Sequence, residues 1–599
     1  MLTDDVLKTK FEKQDVHMLF ETCRPDSQNR NTYFFQNPVK SLIAYDRASA
    51  EKALDDIEGL IQRKYWIAGY FSYELGYGFE MDSFPAEHKY NNPLLELYAF
   101  KKPEIQNASR NISSGRNKDF KASNIKFNIP YSQYKRNIGK IKRYIEKGDV
   151  YQINYTGKLK FKFKGDSFSF YRSLTEKQEV PYSAFLKLKN ETVISLSPEL
   201  FFSVKNGVIE SKPMKGTMNR GRDLAEDTAK MKELRESSKN RAENIMITDL
   251  IRNDLGRICR TGSIHTSKIY EVIKYNTLLQ MITTVRGRLS KGITWKEIFK
   301  SIFPGGSITG APKIRAMQII RELEKENRNI YCGALGFISP KNHAVFSVPI
   351  RTILLKNKTG EMGIGSGIVY DSGVKEEYAE ALLKAKFLTE EPEDFKIIET
   401  ILWARKYVLL GGHLRRLEKS AKYFNFILDL NNIKKQLKAK EKLLNGDNKH
   451  MVRLLLSKNG KVECLSSALT PRKNIKEKAV ISSARVDSKN KYLYHKTTLR
   501  KLYEKEREKI KEKDIFDVIF LNEKKEVTEG AITNIFIEKK GKYYTPPVSS
   551  GLLPGVYREY LLKEKKAVQQ ILKIKDLKLA DRIYLVNSVR GIVEVEIAF

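Results

Sequence analysis

The stretch GIGSGIVYDSGVKEEYAEALLKA, residues 363–385, joins a glycine-spaced segment to an acid-rich helix. Gly365 and Gly367 permit a close approach of backbone amides to a ligand, and acids on the helix can hold a divalent cation that bridges to it. A substrate carrying two carboxylates needs both. On the helix, Tyr378, Ala381, Leu382, Ala385 and Leu388 recur at the spacing of a buried stripe, which puts Glu377, Glu380 and Lys384 on a neighbouring face. Upstream, PMKGT at 213–217 supplies Lys215; far downstream, HKTT at 495–498 supplies Lys496. Together these segments point to two active sites in one chain.

The 599 residues predict roughly three to five domains and ample core. No run approaches the ~20 apolar residues of a membrane span, and the start MLTDDVLKTKFEKQD lacks the apolar core of a secretory signal, so the expectation is a cytoplasmic protein with no membrane partner. The four cysteines show no CxxC or metal-ligand spacing and read as reduced thiols. A formal net charge of +37 invites a nucleic-acid reading. The lysines, however, are spread through every segment and often alternate with glutamate, as in KLYEKEREKIKEKD, the pattern of solvated helix faces; no nucleic-acid partner is expected.

Three regions separate. Residues 1–125 begin with short aromatic runs such as YWIAGYFSYELGYGFE and end in a Lys/Asn/Ser-rich stretch, 101–125, that reads as an exposed connection; 126–390 alternates strand-like runs with long helices; 397–599 mixes both again. The acidic, Pro-containing FLTEEPEDFK places a linker at 391–396.

SLSPELFF (195–202) and VIESKPMKGT (208–217) read as a hairpin that brings Glu199 towards Lys215. In SSKNRAENIMITDLIRNDLGRI, Ala242, Ile245, Met246 and Leu250 form a helical stripe with Glu243 beside it. Glu243 and Glu380, from distant helices, could share one Mg²⁺, which takes a few carboxylates plus substrate oxygens and water. FPGGSITGAPKIRAM (303–317) reads as a glycine loop opening a helix at Pro312 and offering amides to an anion; Ala311 stands where a P-loop requires lysine.

In order, YIEKGDVYQINYT, SLSPELFF, PMKGT, RAENIMITDLIRNDLGRI, FPGGSITGAPKIRAMQIIRELE, YCGALGFISP, VPIRT and the segment at 363–385 resemble the chorismate-binding enzymes over about 130–388. The resemblance implies an α+β domain with large mixed or antiparallel sheets around a cleft. It also implies roles. Lysine in the PxKGT position marks the aminodeoxychorismate-synthase branch, where anthranilate synthases have alanine. Lys215 would be the nucleophile at ring C2 of chorismate and Glu199 the acid/base for the departing C4 hydroxyl. Glu243 and Glu380 would ligate Mg²⁺, while Arg351, Lys384 and the amides at Gly365 and Gly367 would hold carboxylates. Gln152 stands where water-using relatives have a lysine base, so ammonia is the expected nucleophile. Gln280 departs from the family's usual histidine. No GxCxG glutaminase motif is present, so ammonia would come from solution or from a glutamine amidotransferase partner.

Over about 397–599, FKIIETI, GGHLRRLEKSAKYFNF, VRLLLSKNGK, YLYHKTTLRKLYE, DVIFLNEKKEVTEGAITNIFI, YYTPPVSSGLLPGVYREYLL and IYLVNSVRGI resemble class IV pyridoxal-phosphate enzymes. That resemblance implies two small α/β subdomains with the cofactor between them and a possible homodimer. It makes Lys496 the Schiff-base lysine and proton shuttle, Glu529 the partner of the pyridine nitrogen and Arg416 a phosphate ligand. The amides of Gly555 and Val556 would complete the phosphate cup, with Asn587 and Ser588 on the opposite rim. Class IV holds aminotransferases and a lyase. Fusion to a chorismate-binding domain favours the lyase, giving 4-aminobenzoate and pyruvate from chorismate and ammonia. The alternative is an anthranilate synthase component joined to a branched-chain or D-amino-acid aminotransferase.

Overall fold

The computed structural model describes the chain except residues 1, 14–15, 27–28, 81–83, 85–89, 109–118, 385, 390–393, 445–447, 471–475, 512 and 599. It divides into two compact units: Met1–Asn219 with Met231–Pro392, and Arg220–Lys230 with Glu393–Phe599. Of the expected linker, 391–393 lie outside the described residues.

In the first unit the described residues form two ten-stranded sheets whose strands all pair antiparallel. The first 107 residues feed both: His17–Glu21, Asn31–Gln36 and Glu104–Asn107 join one, and Lys40–Ala44, Trp66–Phe71 and Leu95–Phe100 the other. The stretch read as an exposed connection differs from expectation. It contributes the edge strand Glu104–Asn107 and the strand Phe120–Phe127, which pairs with Gln152–Gly165. Edge positions tolerate the polar, lysine-rich composition that made this stretch look like a loop. Between the sheets and their helices lies an aromatic cluster in which Phe71 meets Phe299 at 4.1 Å between ring centroids and Phe202 stacks on Phe346 at 5.2 Å. Phe299 is driven inward by the helix Trp295–Ile302, whose Thr294/Glu297 capping box fixes where it starts.

The segments around Glu199 and Lys215 do form a hairpin. Leu200–Lys205 pairs with Val208–Lys212 across Asn206–Gly207, both at positive φ (52° and 71°), the conformation a tight Asn-Gly turn requires. The chain then runs directly into Met214–Asn219, which pairs with Leu278–Arg288. In the other sheet, Thr359–Ile368 aligns with Gln152–Gly165 so that Gly367 lies opposite Asn154 and Gly365 opposite Thr156.

Two helical stripes differ from the sequence reading. Helix Ser238–Gly256 buries Asn244, Ile247, Thr248, Ile251, Asp254 and Leu255, whereas Ala242 is exposed and Ile245 is 47% exposed. Polar residues on the buried face disguised it. Helix Val374–Leu383 buries Ala381 but leaves Leu382 and Leu383 exposed, with Leu388 buried beyond its end; Ala385 lies outside the described residues. The glycine loop also differs. Residues 303–306 are buried and Gly310–Ala311 pairs with Gln152–Ile153, so this segment is packed into the sheet rather than open to an anion.

The second unit holds a three-stranded antiparallel sheet (Ile397–Trp403, His450–Leu456, Val462–Ala468) with the helices Leu410–Phe424 and Leu430–Glu441, and an eight-stranded mixed sheet. In the latter, Val527–Gly530 pairs with both Asp517–Asn522 and Asn534–Lys539, closing six strands into a ring. The segment Arg220–Lys230 is integral to this unit: Arg222 Nη1 donates to Tyr494 Oη at 2.7 Å, and Tyr423 Oη donates to the Gly221 carbonyl at 2.6 Å. No helix among the described residues is long and apolar enough to cross a membrane.

Candidate active sites

In the first unit the site is built where the two strand systems present side chains at adjoining ends. A Cβ placed on Gly367 would stand 2.6 Å from Gln152 Nε2 and 3.0 Å from Lys215 Nζ, so only glycine leaves room for both groups. Gln152 is 1% exposed, and among the described residues neither its Oε1 nor its Nε2 has a hydrogen-bond partner, an expensive arrangement for a buried amide.

Lys215 is half-buried, with its amine enclosed; burial pushes its pKa down, opposed by the carboxylates of Glu243 and Glu199, while Lys384 lowers it further and Glu380 opposes. That set of neighbours brings together the predicted nucleophile, acid, both predicted metal ligands and one predicted carboxylate holder. Glu199 is 4% exposed, and burial pushes its carboxyl up to about 7 against the stabilising influence of Ser307 and Lys215. Ser307 Oγ donates to Glu199 Oε1 at 2.7 Å. Sequence reasoning had noted Ser307 only as part of a glycine loop.

Lys384 Nζ donates to the Gly365 carbonyl at 2.8 Å and lies 2.9 Å from Glu380 Oε1. Arg351 is held differently: its backbone has φ 52° and its Nη1 donates to Gln178 Oε1 at 2.5 Å. It also neighbours Tyr275, whose hydroxyl donates to the Pro198 carbonyl beside Glu199. Gln280 clasps the strand of Lys215, donating through Nε2 to the Gly216 carbonyl at 3.0 Å and accepting from Thr217 Oγ1 at 3.1 Å. No group of three or more His, Cys, Asp or Glu fit for a metal occurs among the described residues. Glu243 and Glu380 both act on the Lys215 amine, and Mg²⁺ takes few protein carboxylates while keeping several waters and sharing substrate oxygens.

The second unit collects its groups around Lys496. Its backbone carbonyl accepts from Ile398 N at 2.8 Å, tying HKTT to the strand Ile397–Trp403. Burial lowers the amine to about 7; the charges of Arg500 and Arg416 lower it further and those of Glu399 and Glu529 oppose. Burial raises Glu529 to about 7, opposed first by Arg500. Tyr503 Oη donates to Glu529 Oε1 at 3.1 Å, while Leu553 N (3.1 Å) and Asn534 Nδ2 (3.2 Å) donate to its Oε2.

Asn534, absent from the predicted set, also donates to the Leu553 carbonyl at 2.9 Å and so links Glu529 to the turn before helix Val556–Glu564. A Cβ on Gly555 would fall 1.9 Å from Asn534 Oδ1, which makes glycine obligatory at the start of that helix. Arg416 reaches the same place, its Nη1 donating to the Pro554 carbonyl at 3.2 Å. A guanidinium beside a helix N-terminus, a buried carboxylate and an enclosed amine are the groups that pyridoxal phosphate requires, so the residues fit it. Asn587 is less available: its Oδ1 accepts from Val589 N and Arg590 N and its Nδ2 donates to the Ile532 carbonyl, closing its own turn; Ser588 follows it in that turn.

The chorismate binding enzyme family matches residues 18–390 and the amino-transferase class IV family residues 396–597. An aminodeoxychorismate synthase from Streptomyces pristinaespiralis is 40% identical over 255 residues, 42% of this chain and 36% of that protein. Aminodeoxychorismate synthase component 1 of Escherichia coli K12 is 36% identical over 266 residues, 44% of this chain and 59% of that protein. The match thus spans from about a third to three fifths of the length of these curated relatives. In solved structures, anthranilate synthase component I from Streptococcus pneumoniae superposes with a TM-score of 0.54 at 25% identity, covering 61% of this chain and 94% of that one. Paired antiparallel sheets, a lysine and a glutamate at adjoining strand ends, and a second unit organised around Lys496 agree with these matches: the chain belongs to the chorismate binding enzymes and carries an amino-transferase class IV domain after it.

Proposed function

We propose that the chain converts chorismate and ammonia to 4-amino-4-deoxychorismate in the first unit, and that product to 4-aminobenzoate and pyruvate in the second. The observation that carries this reading is the pair of enclosed lysine amines, Lys215 and Lys496, each within the electrostatic reach of a buried glutamate raised to about 7.

In the first unit, Lys215 attacks ring C2 of chorismate, both ring double bonds shift, and the C4–O bond breaks as Glu199 gives its proton to the departing hydroxyl, which leaves as water. A carboxyl with a pKa near 7 can carry that proton at neutral pH. Ammonia then bonds to C4 and gives one proton back to Glu199, both double bonds return and the bond to Lys215 breaks. The unpartnered amide of Gln152 offers a donor and an acceptor to the substrate but cannot take a proton from water, which favours ammonia as nucleophile. Glu243 and Glu380 would hold Mg²⁺, whose charge offsets that of the substrate carboxylates. A separate glutamine amidotransferase is the proposed ammonia source, in keeping with the component 1 name of the E. coli relative.

In the second unit, pyridoxal phosphate, when bound, supplies an electron sink for the carbon bearing the amino group. Lys496 anchors the cofactor and moves the proton at that ring carbon, because burial keeps much of its amine neutral near pH 7. Glu529 faces the pyridine nitrogen; Arg416 and the amides of Gly555 and Val556 bind the phosphate. Loss of pyruvate leaves an aromatic ring, which drives the step. Incubation of the purified chain with chorismate, Mg²⁺, ammonium and pyridoxal phosphate should yield 4-aminobenzoate by chromatography. Anthranilate in its place would support the alternative fusion, and neither product would overturn the reading.

A further inference from the structure

Glu399 is a buried carboxylate that none of the proposed chemistry uses. It lies on the strand Ile397–Trp403, 1% exposed, and meets three donors. Arg416 Nε reaches its Oε1 at 2.9 Å, Arg416 Nη2 its Oε2 at 2.7 Å, and His413 Nδ1 the same Oε2 at 2.6 Å. Both donor residues, His413 and Arg416, come from one helix, Leu410–Phe424, three residues apart and therefore on one face. A planar guanidinium gripped through Nε and one Nη cannot rotate about its own axis. With Nη1 also given to the Pro554 carbonyl, the remaining N–H groups on Nη1 and Nη2 have a fixed direction beside the N-terminus of helix Val556–Glu564. Burial alone would raise the Glu399 carboxyl, but Arg416 and His413 outweigh it and hold it down at about 2, so the clamp stays ionised across any working pH.

We propose that Glu399, with His413 behind it, is a positioning residue that aims Arg416 at the phosphate ester of the cofactor, so that discrimination between pyridoxal phosphate and unphosphorylated pyridoxal resides in this clamp. The inference rests on the pyridoxal-phosphate reading of the second unit. Its chemistry is specific: a freely rotating guanidinium still attracts a dianion, but only an aimed one forms the directed pair of bonds that an anion seated on helix amides needs.

The test is equilibrium binding to the full-length chain, followed by cofactor absorbance, of pyridoxal phosphate and of pyridoxal. Glu399→Gln should weaken pyridoxal phosphate about 10–100-fold, the usual effect of losing a group that orients a ligand-binding side chain, and leave pyridoxal within about twofold. Equal loss of both ligands, or loss of neither, overturns the proposal. Should Glu399→Gln not fold, Arg416→Lys and His413→Gln answer instead: both must lower the phosphate preference, and an unchanged preference in either overturns the idea. In the foldable case the double variant Glu399→Gln/Arg416→Lys should bind pyridoxal phosphate no more weakly than Arg416→Lys alone, because Glu399 acts through Arg416; additive losses contradict it. Wild-type protein that binds neither ligand would instead defeat the cofactor reading itself.

Discussion

Ser307 Oγ stands 2.7 Å from Glu199 Oε1, a hydroxyl donating to a buried carboxyl that the Met214 backbone also restrains. The bond favours the ionised form of Glu199 and so sets how far burial can raise it. Ser307→Ala removes that restraint. In the proposed reaction Glu199 serves as the acid, so activity of the first site falls as pH rises through its pKa, near 7; the variant should move this limb upward by about one pH unit, the size expected for loss of a hydrogen bond to a charged group. Chorismate consumption measured against pH at constant free ammonia reads the shift, and a limb that stays in place or moves to lower pH contradicts the assignment.

Lys215→Ala should cut chorismate consumption by at least about 100-fold, comparable with the loss of a group acting in the transition state, while cofactor absorbance at the second site stays unchanged. Loss of both signals together would mean that the substitution unfolds the chain rather than disarming one site.

Lys496 titrates in the opposite sense to Glu199. Burial lowers its pKa to about 7, so the neutral amine appears as pH rises through 7 rather than through the ordinary lysine range. The rate at which added pyridoxal phosphate is captured should therefore climb between about pH 6 and 8 and then level off. Continued increase towards pH 10 would show an unperturbed amine. Lys496→Ala should abolish capture and let the first unit's product accumulate.

Glu243→Gln and Glu380→Gln should each raise the Mg²⁺ concentration needed for half-maximal chorismate turnover by about 10–100-fold. Chelation of the metal should stop the first reaction and leave the second untouched. If either glutamine variant keeps the wild-type Mg²⁺ response, that residue is not a metal ligand.

Asn534→Ala leaves the Leu553 carbonyl and one oxygen of Glu529 short of a donor in a buried setting. The expected cost is about 1–3 kcal/mol in stability of the second unit, read as a lower denaturant midpoint, together with weaker cofactor binding.

The large architecture and most of the proposed site residues could be read from short motifs, because close approaches such as Gly367 against Gln152 and Lys215 favour a small residue at a fixed place in the sequence. What escaped reading has physical causes. Helix Ser238–Gly256 turns Asn244, Thr248 and Asp254 inward, where Thr248 bonds to the Asn244 carbonyl and Asp254 pairs with Lys313; a stripe judged by hydropathy therefore selects the wrong face. Phe120–Phe127 is polar because it has neighbours on one side only, not because it is irregular. Glu399 looked like any strand residue, since its partners His413 and Arg416 lie on another element and only the fold brings them together.

The second unit draws on two separate stretches of chain, with Arg220–Lys230 departing from the first unit and returning to it. A fragment beginning near residue 393 would lack the hydrogen bonds that this excursion gives to Tyr423 and Tyr494.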